Sequence, residues 1–276
     1  MILAAGLLPT LTACAGNIQT SDLSLVWEKG SALTYDFTQT EQGDITTPNS
    51  GTRTGVSGVH AQIKIDVVDA NPAGGTASLK LNVNDFTTSE VGQPATAPGA
   101  ANLFAATDTR GAVSSSDRTP ILGGFEYAQD FLPAPVLPDH QVREGDSWTV
   151  TYDQPRLTPI DVQHHQDRES LIRIDRSQGV IALIEGDYSI PVGSTQNFPL
   201  PGQLGAGLRT TISGASWKGM TTGHISTWVD LDHRVIKRQI REEIDELDAS
   251  PANGASGSAS LGRSSLHNVY TFALRG

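Results

Sequence analysis

Residues 61–83 read AQIKIDVVDANPAGGTASLKLNV, and this stretch decides the fold class. Apolar side chains occupy every second position on both sides of its centre: Ile63, Ile65 and Val67, then Leu79, Leu81 and Val83. Successive side chains of a strand point to opposite faces, so this period of two predicts two strands that each bury one face. The centre, residues 71–75, has the Asn, Pro and Gly composition of a turn. The stretch therefore predicts a β-hairpin.

The same alternation recurs along the chain and predicts a mainly β protein. Ile225, Thr227 and Val229 share one strand face, and Tyr270, Phe272 and Leu274 share another. We expect about ten to twelve strands that form curved antiparallel units, half-barrel or barrel-like, with a few short helices. Residues 235–247 fit the spacing of a helix as well as that of a strand. We prefer the strand, because residues 230–234 have the composition of a hairpin turn.

An internal echo suggests that two similar β units make up the body. Residues 29–36, KGSALTYD, resemble residues 144–153, EGDSWTVTYD. Duplication of one β unit explains the echo, and chance similarity between short strands is the alternative. The predicted organisation is a signal peptide at 1–13, a lipidated tether at 14–24, a first β unit at 25–117, a connector at 118–143 and a second β unit at 144–276.

Composition excludes several classes of protein. The chain has 276 residues with 19 Lys and Arg against 30 Asp and Glu, a formal net charge of −11. Such an acidic balance argues against nucleic acid as a partner, since nucleic-acid binding needs basic surface. Hydrophobic residues make up 37% of the chain and charged residues 18%, which is too apolar for a disordered acidic segment.

The N-terminus carries an apolar run that ends in the only cysteine of the chain, Cys14. The run in residues 1–13 is too short to cross a bilayer and has the character of an export signal. Leu11-Thr12-Ala13-Cys14 resembles the lipobox of bacterial lipoproteins. This resemblance implies cleavage before Cys14, acylation of Cys14 and a membrane anchor on the periplasmic or cell-surface face of a bacterial envelope. An incidental cysteine in an ordinary secretory signal is the alternative.

Two further resemblances concern the body. Residues 137–148, LPDHQVREGDSW, look like a phrase that recurs in uncharacterised bacterial lipoproteins of the DUF6263-like group, where it introduces a second β unit. The stretch from Gly223 to Ile240 is similar to one in LolA/LppX-like envelope proteins. That similarity implies a curved half-barrel that holds lipid or acyl chains. Neither resemblance supplies catalytic residues.

No nucleophile elbow, zinc-protease helix, phosphate-binding loop or dinucleotide fingerprint occurs in the sequence. The best polar group is His165, Asp167 and Glu169, which share one face if the chain is extended there. A divalent ion could bind these side chains if a further ligand came from elsewhere in the fold. The alternative is a solvated strand face. Nothing in the sequence ties a serine to a histidine and an acid, and we predict no cofactor.

Tryptophans and charges complete the candidates. Trp148, Trp217 and Trp228 are candidates for lining a ligand cavity, and core packing is the alternative. The charge run at 234–248 has four basic residues followed by five acidic ones, and we interpret it as a solvated face rather than as a partner site.

These features predict a lipid-anchored envelope protein that is not an enzyme. We expect its curved β body to bind an apolar ligand or a protein partner. The first alternative is a structural or assembly component of an envelope complex with no ligand cavity. The second alternative is a metal-assisted hydrolase centred on His165.

Overall fold

A computed structural model describes residues 20–48, 51–90, 101–122, 125–133, 135–155, 162–177, 179–194, 215–251 and 262–276. The elements that follow are almost all strands, so the predicted mainly β class is confirmed. They are β1 (Ala32–Thr47), β2 (Gly51–Asn71), β3 (Thr76–Glu90), β4 (Ala101–Asp108), β5 (Val113–Ser116), β6 (Arg118–Leu122), β7 (Phe125–Tyr127), a 3₁₀ helix (Ala128–Phe131), β8 (Ser147–Pro155), β9 (Val162–Asp175), β10 (Ile181–Ser194), β11 (Ala215–Asp230), β12 (Val235–Pro251) and β13 (Gly262–Leu274).

Eleven of these strands form one antiparallel, barrel-like sheet in the order β5-β4-β3-β2-β1-β13-β12-β11-β10-β9-β8, and β6 pairs with β7 in a small separate hairpin. The strands β1–β5 come from the first half of the chain and β8–β13 from the second. The last strand, β13, pairs with β1 from Tyr35↔Leu274 to Thr46↔Arg263. Strands from the two halves of the chain therefore belong to one continuous sheet.

The hairpin at residues 61–83 forms as the alternation predicts. Ile63 pairs with Val83 and Ile65 with Leu81 across β2 and β3, and all four side chains are buried. The strand preferred for residues 235–247 is confirmed as part of β12, which follows a tight turn at 231–234. One 3₁₀ helix of four residues is the helical element of the described chain. None of the helical structure described here is long and apolar enough to cross a membrane.

Apolar side chains fill one end of the sheet, which we call the base. The first core cluster lies under β1–β4 and β13 and receives Phe131 and Leu132 from the connector. Phe37 contacts the rings of Phe131 and Phe272 at centroid distances of 5.8 and 4.9 Å. A second cluster lies under β8–β12. The connector therefore packs against the sheet through Phe131 and Leu132.

An N-terminal strap, which we define as residues 21–27, seals the base. Leu23 and Leu25 are 0% and 3% exposed and belong to the second core cluster. Ser21 pairs with Val142 in an isolated bridge, and the Trp27 indole N–H donates to the Asp108 carbonyl at 2.9 Å. The tether predicted for 14–24 therefore gives way to the folded body at Ser21, because burial of two leucines holds this segment in the core.

Candidate functional site

Above the base, the inner face of the sheet changes from apolar to polar. The strands alternate inward and outward as before, but the inward positions now carry charged, amide and hydroxyl groups. We call these residues the polar belt: Gln39, Glu41, Ser57, Asp167, Glu169, Tyr188, Thr221, Arg241, Glu243, Asp245 and Asn268. The belt spans β1, β2 and β9–β13, and it contains five carboxylates and one guanidinium. Buried charge of one sign at this density is costly unless it is paired or protonated.

Hydrogen bonds join part of the belt across four strands. Gln39 on β1 donates through Nε2 to Asn268 Oδ1 on β13 at 3.2 Å. Asn268 in turn donates through Nδ2 to Asp245 Oδ2 on β12, also at 3.2 Å. The Thr221 hydroxyl on β11 donates to the other oxygen of the same carboxylate. This chain of bonds satisfies Asp245, so the carboxylate can stay buried.

Arg241 is the cation of the belt. Its Nε lies 3.2 Å from Glu243 Oε1, and its guanidinium carbon lies 4.3 Å from the centre of the Tyr270 ring. Burial alone would lower the pKa of Arg241, but Glu243 and the phenols of Tyr188 and Tyr270 raise it above its usual value. The Arg241 and Glu243 side chains remain 26% and 13% exposed, so solvent reaches the belt at this point.

Two glycines let belt side chains lie flat across a neighbouring strand. Tyr188 crosses Gly223, its pairing partner, and donates its hydroxyl to Glu243 on the strand beyond. A Cβ at position 223 would overlap the Tyr188 ring. Gly186 has the same role for its pairing partner Glu169, since a Cβ there would come within 2.8 Å of Glu169 Cδ. The absence of a side chain at these positions therefore sets the direction of Tyr188 and Glu169.

Glu169 is the least satisfied group of the belt. It is 2% exposed, and its Oε2 has no hydrogen-bond partner in the described part of the chain. Burial, and then the negative charges of Asp167 and Asp187, raise the pKa of Glu169 from 4.5 to about 8. A carboxyl with this pKa is mostly protonated at neutral pH and ionises just above it. Groups with such shifts are candidates for functional sites.

The predicted metal group is partly placed by the structure. Asp167 and Glu169 point to the inner face and are 3% and 2% exposed, so the solvated-face interpretation is wrong for both. The side chain of His165 lies outside the described residues. Among the residues that are described, no three His, Cys, Asp or Glu side chains form a group that could hold a metal ion.

The two candidate tryptophans whose side chains are described, Trp148 and Trp228, lie on opposite faces of the sheet and do not line one cavity. Trp148 lies on the inner face of β8, where it pairs with Glu169 and is 7% exposed. Trp228 lies on the outer face of β11, and the Arg238 guanidinium stacks over its ring at 5.3 Å. The register shifts after Trp228 because β12 has an extra residue there, Lys237, between the partners of Trp228 and Val229. The alternation of β11 through Thr227 and Val229 is unbroken and keeps Trp228 outside. The side chain of Trp217 and the whole of Cys14 fall outside the described residues.

The charge run at 234–248 divides between the two faces of β12. Arg238, Glu242 and Asp248 point outward and are exposed, as a solvated face requires. Arg241, Glu243 and Asp245 point inward, so the prediction of a solvated face is wrong for these three. The sequence contains a clue to the inward face, because residues 239, 241, 243, 245 and 247 share one strand face and the last of them is apolar. The clue is hard to see because most residues of this run are charged, so the period of two does not appear as alternating hydropathy.

The structure also joins a serine, a histidine and an acid that the sequence does not connect. Ser226 Oγ lies 3.4 Å from His224 Nε2, and His224 Nδ1 lies 2.8 Å from Asp187 Oδ1. These residues lie on the outer face, where the His224 and Asp187 side chains are 45% and 81% exposed. The backbone of β11 is paired here with β10 and β12. The site therefore has the connectivity of a catalytic triad, but the described residues around it form neither the cleft nor the oxyanion donors that acyl transfer needs.

A groove of about 640 Å³ lies at the base, beside the strap. It is lined by residues 22–29, by the turn between β2 and β3, and by Arg110 and Arg234. Arg234 lies 3.6 Å from Asp22 and Lys29 lies 3.0 Å from Asp69, so these cations already have acidic neighbours. The groove is thus a mixed-charge surface next to the point where the chain enters the body.

Comparison with protein-family models finds no family that matches the chain, and no curated protein matches it either.

Proposed function

We propose that the protein is a lipid-anchored, non-enzymatic binding protein of the bacterial envelope, which receives its ligand on the inner face of the sheet. One observation carries this proposal: charged residues are buried on the inner face above a sealed apolar base, and solvent still reaches Arg241 and Glu243. A sheet that served only as a scaffold would be more stable with apolar side chains at these positions. Buried groups with strongly shifted pKa values, such as Glu169, cluster at functional sites.

The inner face favours an amphipathic ligand. The base is filled by the protein's own side chains, so an apolar ligand would have to lie higher, where apolar and polar residues alternate between strands. Ile190 and Ile225 form a small cluster with Tyr188 there, next to the charged residues of the belt. A ligand with an apolar part and a polar or charged group matches this mixture.

The anchor follows from the resemblance of residues 11–14 to a lipobox. Acyl chains on Cys14 would hold the body beside a membrane, and two or more chains are needed for stable anchoring. Replacing Cys14 by Ser tests this part alone. We expect the variant to move from the membrane fraction to the supernatant after cell breakage, while unchanged fractionation would refute the anchor.

Native mass spectrometry tests the binding function. The full-length protein, extracted from membranes in mild detergent, should carry a small molecule at a ratio of one to one. Arg241→Met should lose that adduct, while Arg238→Met, which removes a guanidinium from the outer face, should keep it. A protein that is empty in both forms, and that cross-links to other envelope proteins in cells, would contradict the proposal and favour an assembly component.

A further inference from the structure

We propose that Glu169, together with Asp167 and Trp148, binds the ammonium group of the ligand. This inference rests on the proposed binding function and names the chemistry of the group that is recognised. Asp167 and Glu169 lie on the inner face of β9, and Trp148 pairs with Glu169 on β8. Carboxylates beside an aromatic ring are the usual protein partners of an organic cation.

The Glu169 carboxylate has the geometry of a binding group rather than of a structural one. It lies over Gly186 and is almost completely buried, yet no donor of the described residues reaches its Oε2. A buried polar atom without a partner costs stability, so a group that is kept in this state needs another explanation. A donor on a ligand supplies the missing bond.

The electrostatic surroundings select a cation. Among the residues that the structure describes, the charged groups that act on Glu169 are Asp167 on its own strand and Asp187 on β10, and both are acidic. The nearest base in the same row of the sheet is Arg241, three strands away, and Glu243 already neutralises it. An anion would be repelled from this corner of the belt, whereas an ammonium would replace the proton that Glu169 otherwise holds.

If the ammonium replaces a proton on Glu169, the affinity depends on pH, and this dependence can be measured. The pKa of Glu169 is about 8, so below this pH an ammonium must displace a proton from the carboxyl. Affinity should therefore rise as pH increases toward 8, by at most about tenfold per pH unit. An alkylammonium stays charged over this range, as a lysine side chain does.

Isothermal titration of the full-length protein with hexylammonium chloride tests the inference. We expect binding that is stronger at pH about 8 than at pH about 6, and no binding of hexan-1-ol, which has the same tail without the charge. Glu169→Gln keeps the shape of the side chain and should weaken hexylammonium at least about tenfold. Asp248→Asn removes one carboxylate from the outer face and should bind as the wild type does.

A neutral fluorescent probe, N-phenyl-1-naphthylamine, separates failure of this inference from failure of the proposed function. If the probe binds and hexylammonium displaces it from the wild type but not from Glu169→Gln, the inference holds. If the probe binds but hexylammonium does not displace it, the inference is wrong and the binding function stands. Binding of calcium or zinc chloride that Glu169→Gln abolishes, without hexylammonium binding, would replace the ammonium by a metal ion. If neither probe nor ammonium binds, both proposals fail.

Discussion

Glu169 makes the stability of the protein depend on pH. Its pKa is raised from 4.5 to about 8 by burial and by Asp167, so the folded state holds a proton that the unfolded chain releases. The stabilisation is complete below pH 4.5 and is lost as pH rises toward 8, with a slope of at most about 1.4 kcal/mol per pH unit. Urea denaturation at a series of pH values measures this slope.

Glu169→Gln should flatten the dependence, because the amide does not ionise. The free energy of unfolding of the variant, relative to that of the wild type, should increase with pH, and the variant should be the more stable protein above pH about 8. Asp248→Asn, on the outer face, should keep the wild-type slope. If Glu169→Gln keeps that slope as well, another group titrates in this range and Glu169 is not buried in a protonated form.

Gly223 leaves the space that the Tyr188 ring occupies. Alanine at this position would put a methyl group inside the ring, and the strain should cost about 1–3 kcal/mol of folding free energy. A double-mutant cycle separates this clash from other effects of the substitution. In a Tyr188→Ala background, Gly223→Ala should cost much less. Equal costs in the two backgrounds would show that the ring does not lie over Gly223.

At the scale of elements, we expect the strap to contribute to the stability of the fold, although the sequence predicts part of it to be a tether. Leu23 is completely buried between the second half of the sheet and the connector, so Leu23→Ala should cost about 2–5 kcal/mol. Ile172→Ala removes a side chain of the same size that is 43% exposed, and it should cost less than about 1 kcal/mol. Thermal and urea unfolding compare the two. Similar small losses would show that residues 21–24 belong to the tether after all.

Strands could be predicted from the sequence because one face of each is apolar near the base. The strands β2 and β3 can be predicted because their buried residues are apolar at every second position, as at Ile63 and Ile65 on β2 and at Leu79 and Leu81 on β3. The polar belt could not be predicted in the same way. On β12 the inward residues Arg241, Glu243 and Asp245 are charged, whereas the outward neighbours include Ile240 and Ile244, so hydropathy does not identify the charged face as the buried one.

The pairing of strands that are distant in the chain could not be predicted from the sequence either. The contact of β1 with β13 joins residues more than two hundred positions apart, and no local pattern encodes it. The same holds for the neighbours of Glu169, since Gly186 and Trp148 reach it through the register of β9 with β10 and β8. The spacing of Asp167 and Glu169 predicts that they share one strand face. Their burial could not be predicted, because it depends on the order of the strands in the sheet.

At the scale of the whole molecule, the strap fixes which end of the sheet would face a membrane. Six residues, 15–20, separate Cys14 from Ser21, and this length spans at most about 25 Å. The strap runs along the base, beside the turn between β2 and β3. The opposite end lies farther away, since the 16 residues of β1 extend over about 50 Å. An acylated Cys14 would therefore place the base, and not the far end of the β1–β2 hairpin, at the membrane surface.

Fluorescence quenching in vesicles tests this orientation. Ala73 lies in the turn at the base and Pro48 at the far end of β1, and both are exposed. If Cys14 is acylated as we propose, its sulfur is blocked, and a cysteine introduced at either position can be labelled selectively. With a quencher on the lipid headgroups, we expect strong quenching of a fluorophore at 73 and weak quenching at 48. In a Cys14→Ser background both labels should escape quenching. Stronger quenching at 48 than at 73 would mean that the far end of the sheet faces the membrane, and the strap would then not set the orientation.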